Sequence, residues 1–100
     1  MEGIAVFQTD HLAMAGKIAQ LRRECLSHAA HSDRALLAAS RLIELEGQLE
    51  EGALNSPTYS LDTDHRALIH QAADELQRDE DPFVTHLGTR LADLVRTSHR

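Results

Sequence analysis

Seven histidines in a chain of one hundred residues make metal ligation the first chemistry to test. The best set is Glu24, His28 and His31, at i, i+4 and i+7, which share one helical face for as long as the helix continues. Carboxylate and imidazole at that spacing suit zinc or non-haem iron. The helix should end near His31, however, and the partner Glu-x-x-His set that a di-metal bundle needs appears nowhere else. His65 and His70 are five apart and point in different directions. The histidines therefore read as solvated or capping groups, with His28 complementing a helix C-terminus when protonated. No metal and no other cofactor is expected.

Nucleophilic chemistry has less to work with. Cys25 lies among apolar positions of a helical stretch, the setting of a buried and inert thiol. As the single cysteine it excludes an internal disulfide and a cysteine-based zinc site. There is no Gly-x-Ser-x-Gly elbow, and Ala15-Gly16-Lys17 lacks the glycine-rich loop that cradles phosphate. The acidic cluster Asp74, Glu75, Asp79, Glu80 and Asp81 matches no calcium loop; it reads as a solvated face that could repel nucleic acid or meet a basic partner. No catalytic residue is assigned, and the chain reads as a non-enzyme.

Sixteen acidic residues against ten basic ones give a formal net charge of −6, which disfavours nucleic acid and anionic membrane surfaces as partners. No apolar run is long enough to span a bilayer. The first ten residues lack a basic n-region, so no signal peptide and a cytoplasmic location are expected. Hydrophobic residues make up 42% of the chain but aromatics only 3%. A core of Leu, Ala and Ile favours helices over sheets, and the length suits one small domain over residues 1–100, with 1–9 disordered or extended.

The elements follow from the spacing of the apolar residues. A first helix runs from His11 to about Ala30, through Leu12, Ala15, Ile18, Leu21 and Cys25, with Asp10 as its N-cap. A second runs from Asp33, its expected cap, to about Glu51, with Gly52 where a left-handed C-terminal residue is wanted. Its apolar face is wider than one seam, which predicts contact with two neighbours. Residues 52–62, with Asn55, Ser56, Pro57 and Ser60, read as a connecting loop. A third helix starts at Asp62 or Thr63 and ends near Arg78, with acid-before-base pairs at Asp62/Arg66 and Asp74/Arg78. The fourth carries the cleanest seam, Val84, Leu87, Leu91 and Leu94/Val95, near an a/d heptad. Asp81 and Pro82 would start it as N-cap and first helical residue; alternatively the third and fourth segments form one helix kinked at Pro82, the reading the pattern slightly favours. The fold class is all-α, a small antiparallel bundle of three to four helices.

Two resemblances bear on function. Residues Leu26 to Leu49, with Ala29-Ala30, Asp33, Leu36-Leu37, Leu45-Glu46 and Leu49, resemble the first hairpin of FliT-type flagellar export chaperones. The run Leu76, Asp79, Glu80, Phe83, Leu87, Arg90, Leu91 and Leu94 resembles the family's third helix, although Pro82 falls where that helix would be uninterrupted. The resemblance spans roughly residues 18–96, and it implies a bacterial chaperone or regulator that keeps an export substrate soluble by covering one of its helices. Separately, Ser40-Arg41-Leu42-Ile43-Glu44 is similar to the Ser-Gln-Glu-Leu-Asp motif of small helical-hairpin phosphatases acting on phosphorylated response regulators; only Ser40 matches identically.

Independently of either family, a hundred residues bury only about two-thirds of their surface on folding, so an apolar strip should remain for a partner. The expected reading is a non-enzymatic interaction protein that binds a partner protein's helix, or a second copy of itself. Its partner-binding residues would be Val84, Leu87, Arg90, Leu91 and Leu94, with burial of the same residues in the core as the competing reading. A His-rich metal-binding bundle is a further alternative.

Overall fold

The computed structural model describes residues 10–55 and 61–97; the expectation for 1–9 and the loop residues Ser56, Pro57 and Ser60 lie outside them. Four helices account for nearly all of the rest: α1 (Asp10–His28), α2 (Asp33–Asn55), α3 (Thr63–Gln77) and α4 (Pro82–Thr97). A 3₁₀ turn, Ala29–His31, joins α1 to α2. No strand occurs among the described residues, and no helix there is long and apolar enough to cross a membrane.

Side-chain bonds fix the order of the helices. Arg22 on α1 meets Glu46 on α2, Arg41 on α2 meets Glu75 on α3, Gln77 on α3 meets Thr89 on α4, and Arg90 on α4 returns to Glu24 on α1. Successive helices run antiparallel, so α1 and α3 start at the same end of the bundle. Each contributes a face of Leu, Ile, Val and Ala to one core, in which Ile18, Leu42, Leu45, Leu49, Ile69, Leu87 and Leu91 are fully buried. A bundle made this way needs few aromatics, because Leu and Ala at helical spacing interdigitate between helices.

Three local expectations change. The third and fourth segments are separate helices. Asp81 Oδ1 accepts the amide of Phe83 at 2.9 Å and Thr85 N–H bonds the Asp81 carbonyl at 2.9 Å, so Asp81 caps a new helix with Pro82 at its first position, where the missing N–H costs nothing. The cap of α2 is Ser32, whose Oγ accepts the amide of Ala35 at 3.2 Å, and Asp33 is the first helical residue. Finally, α2 continues through Gly52 to Asn55, and Gly52 has no positive φ.

The absent side chain of Gly52 serves packing instead. A Cβ there would lie 2.5 Å from Nε2 of His65 and 3.0 Å from Cδ2 of His11. Gly88 plays the same part between α3 and α4, where a Cβ would lie 2.7 Å from the Gln77 backbone nitrogen and 2.9 Å from the Ala73 carbonyl oxygen. Both are close-approach glycines.

Candidate functional site

The α4 seam faces inward. Val84, Leu87 and Leu91 are each 0% exposed and Val95 is 1% exposed, while Leu94 is half-buried against the same core. Arg90 forms a two-bonded ion pair with Glu24, at 2.5 and 2.9 Å, and the hydrogen bond from Arg90 holds the Glu24 carboxyl below its ordinary pKa. Of the five residues read from sequence as partner-binding, three are therefore core, and Arg90 and Leu94 line a shallow depression between α1 and α4 with Lys17, Gln20 and Asp93. The regularity of the seam explains its burial: a narrow a/d stripe is what a helix needs to pack between two neighbours.

The exposed apolar surface lies on the α1–α2 hairpin. Leu36 and Ile43 are 50% and 51% exposed and Leu26 is 42% exposed. On α2, Leu36, Ile43, Gly47 and Leu54 recur at i, i+7, i+11 and i+18, one stripe of the helix. On α1, Ala19 and Leu26 are seven apart. The bridge from Arg22 Nε to Glu46 Oε2, 2.6 Å long, crosses between the two helices, and it fixes how the stripes relate. Ala19 and Leu26 flank Arg22 at i−3 and i+4, and Ile43 flanks Glu46 at i−3. Both stripes thus border one seam. The flank of α1 carrying Lys17, Gln20 and Glu24 faces α4, and the flank of α2 carrying Arg34 and Arg41 faces α3, so the shared stripe looks away from α3 and α4. Within it, Ser40 Oγ donates to the Leu36 carbonyl at 3.2 Å.

Glu24, His28 and His31 do not converge. Glu24 is held by Arg90, His28 stacks on Phe83 with ring centroids 4.0 Å apart, and His31 meets only the edge of His28 at 6.4 Å. A different set converges where α1 and α3 begin. His11 Nε2 lies 3.1 Å from Asp62 Oδ1, and His65 Nδ1 makes a short contact with the same oxygen. The two rings pack edge to face at 4.9 Å. His11 is 0% exposed, and its Nδ1 has no hydrogen-bond partner. Burial works to raise the Asp62 pKa, but hydrogen bonds from His65 and His11 outweigh it and hold the carboxyl below its ordinary value. In the sequence His11 and Asp62 read as helix-start residues, and local spacing carries no sign of a contact between positions 51 apart. The usable signal was local: Asp62 and His65 are at i, i+3.

The acidic cluster is only in part a solvated face. Asp79 takes a bidentate pair from Arg34 at 2.6 and 3.1 Å, Glu75 takes Arg41 at 2.9 Å, and Asp81 takes Ser32 at 2.8 Å. These bonds clip the α3–α4 corner to α2 and hold Asp79 and Asp81 below their ordinary pKa. Cys25 is fully buried, its thiol donating to the Ala35 carbonyl at 3.3 Å; burial, with the negative charges of Asp81 and Glu24, pushes its pKa up to about 11, which leaves little thiolate at neutral pH. Comparison with family models, with curated proteins and with solved structures finds no match.

Proposed function

We propose that this chain is a non-enzymatic helical interaction protein that holds an amphipathic helix of a partner protein on the outer face of its α1–α2 hairpin. One observation carries the reading: Leu26, Leu36 and Ile43, three large aliphatic side chains on two adjacent helices, border one seam and stay about half exposed. The other exposed large aliphatics among the described residues, Leu12, Leu37 and Leu54, lie on the same two helices, while those of α3 and α4 are buried or partly buried. Leaving a row half exposed costs hydration free energy, on the order of 1 kcal/mol per side chain, and contact with a partner recovers it. The small residues Ala19, Ser40 and Gly47 between them leave room for knobs from an incoming helix, the helix-in-groove mode of recognition.

The resemblance of Leu26–Leu49 to FliT-type export chaperones supports the finer version, in which the partner is an export substrate and the chain a chaperone. That resemblance falls on this same hairpin. The site moves from the α4 seam expected from sequence to Leu26, Leu36 and Ile43.

The test compares three substitutions. Ile43→Asp and Leu36→Asp should keep the far-ultraviolet helical signal and lose the proteins that co-purify stoichiometrically with the wild-type chain. Leu91→Asp, which puts a charge in the core, should lose the helical signal itself. Retained partners in both surface variants would exclude the face.

A further inference from the structure

We propose that His11 Nε2, the Asp62 carboxylate and His65 Nδ1 form a binding site for a first-row divalent transition metal, with Zn²⁺ as its natural probe, joining the start of α1 to the start of α3. The inference is independent of the docking face, which lies elsewhere on the hairpin.

The donor set is the first argument. Two imidazoles and a carboxylate are borderline ligands suited to zinc and its neighbours. Their donor atoms lie within 4.8 Å of one another. A tetrahedral zinc with bonds of roughly 2.0–2.2 Å sets neighbouring donors about 3.3 Å apart, close to the 3.1 Å that separates His11 Nε2 from Asp62 Oδ1. Entry of the ion asks for small side-chain shifts and no movement of a helix.

The second argument is that Asp62 holds the two rings together: it occupies the N-cap position of α3, with φ −78° and ψ 167°, at the mouth of the cluster. One oxygen of that carboxylate, Oδ1, faces both histidine rings, the shared anionic ligand that a cation between two imidazoles needs.

Burial and clearance are the third. His11 is wholly buried, with Nε2 directed at Asp62 and Nδ1 unpartnered. A buried imidazole is costly where an aliphatic residue would pack, and the atom it presents to the cluster is Nε2, aimed at the Asp62 carboxylate, with Nδ1 unpartnered whether or not an ion is bound. Gly52 supplies the space in which both rings sit. On the other side the site opens to water: the Asp62 side chain is 42% exposed and that of His65 20%. An ion can enter there, and a water can complete a four-coordinate shell.

The experiment uses the full chain without a histidine tag, stripped with chelator and titrated with ZnCl₂ by calorimetry. One Zn²⁺ per chain is expected, with a rise in melting temperature of roughly 10 °C at hundredfold excess over Kd. In the carbon-resolved NMR spectrum, the ring signals of His11 and His65 should shift and those of His28, His31, His70 and His86 should not. Asp62→Asn and His65→Gln should each weaken binding on the order of tenfold or more and, at the same Zn²⁺ concentration, cut the thermal shift to about half or less, whereas His31→Gln leaves both unchanged. Absence of Zn²⁺ uptake at micromolar concentrations overturns the proposal. So does uptake that shifts His28 and His31 in place of His11 and His65, which needs no variant to fold.

Discussion

Ser32 Oγ donates a hydrogen bond to Asp81 Oδ2 at 2.8 Å across 49 residues of sequence, and each of these residues also caps a helix. Ser32 Oγ accepts the Ala35 amide at the start of α2, while Asp81 Oδ1 accepts the Phe83 amide at the start of α4. The two helix starts are thereby tied through their caps. Since α2 carries the exposed stripe and α4 the central core seam, the tie sets the hairpin against the rest of the bundle.

Ser32→Ala removes both the α2 cap and the link to Asp81. A lost cap costs about 0.5–2 kcal/mol, and the Asp81 carboxylate also loses a donor. We predict destabilisation of about 1–2 kcal/mol in urea unfolding, with the helical signal of the folded state unchanged. A midpoint equal to wild type would mean that water replaces the hydroxyl on both sides.

The four described helix glycines should divide into two classes. Nothing lies within 4 Å of a Cβ built at Gly16 or Gly47, so Gly16→Ala and Gly47→Ala should each stabilise by up to about 1 kcal/mol through helix propensity. Gly88→Ala drives a Cβ against backbone atoms of α3 and Gly52→Ala drives one against His65 and His11. Overpacking of this kind costs about 1–3 kcal/mol, more for Gly88, where backbone cannot swing aside. Thermal melts of the four variants decide the assignment.

Acid should unfold the bundle through four carboxyls. Arg90 lowers the Glu24 pKa, Arg34 that of Asp79, and Ser32 with the Phe83 amide that of Asp81; at Asp62 the bonds from His65 and His11 outweigh burial and lower it too. Each folded value is below the ordinary one, 4.5 for Glu and 3.8 for Asp. The unfolded chain therefore binds more protons as the pH falls through that range. The stability these groups contribute is present in full above it and is lost as the pH drops through the ordinary values toward the lowered ones. Urea midpoints should be flat with respect to these carboxyls near neutrality and fall below about pH 4.5. A midpoint constant down to pH 3 would contradict the paired geometry.

The helices were legible because their apolar spacing is regular: the rows through Ile18, Leu21 and Cys25, and through Val84, Leu87 and Leu91, are where sequence put them and are buried. Which row stays exposed was not legible. Regularity made the α4 seam look like a binding stripe, but a regular narrow stripe is what burial between helices selects. The wider face of α2, with more apolar positions than its neighbours cover, is the one left showing at Leu36 and Ile43. The break at Pro82 was one of two readings the sequence offered, since the Asp81 cap on the Phe83 amide is local; the bond from Ser32 that also holds the Asp81 carboxylate is distant in sequence and left no local sign. Gly52 read as a helix stop because local patterns carry no trace of the two histidine rings that need its missing side chain. The His11–Asp62–His65 cluster exists only once α1 and α3 are set side by side.

The central claim is that the outer hairpin face meets another protein, and the most direct measurement is photo-cross-linking from within it. A benzophenone side chain placed at Ile43 and activated in the producing cell should give one dominant adduct with a different protein. The attachment point should fall in an amphipathic helix of that protein, and Leu36→Asp should erase the adduct. A probe at Arg78, on the α3–α4 side, should not give it. Adducts only with a second copy of the chain, or the same adduct from both positions, would contradict the account.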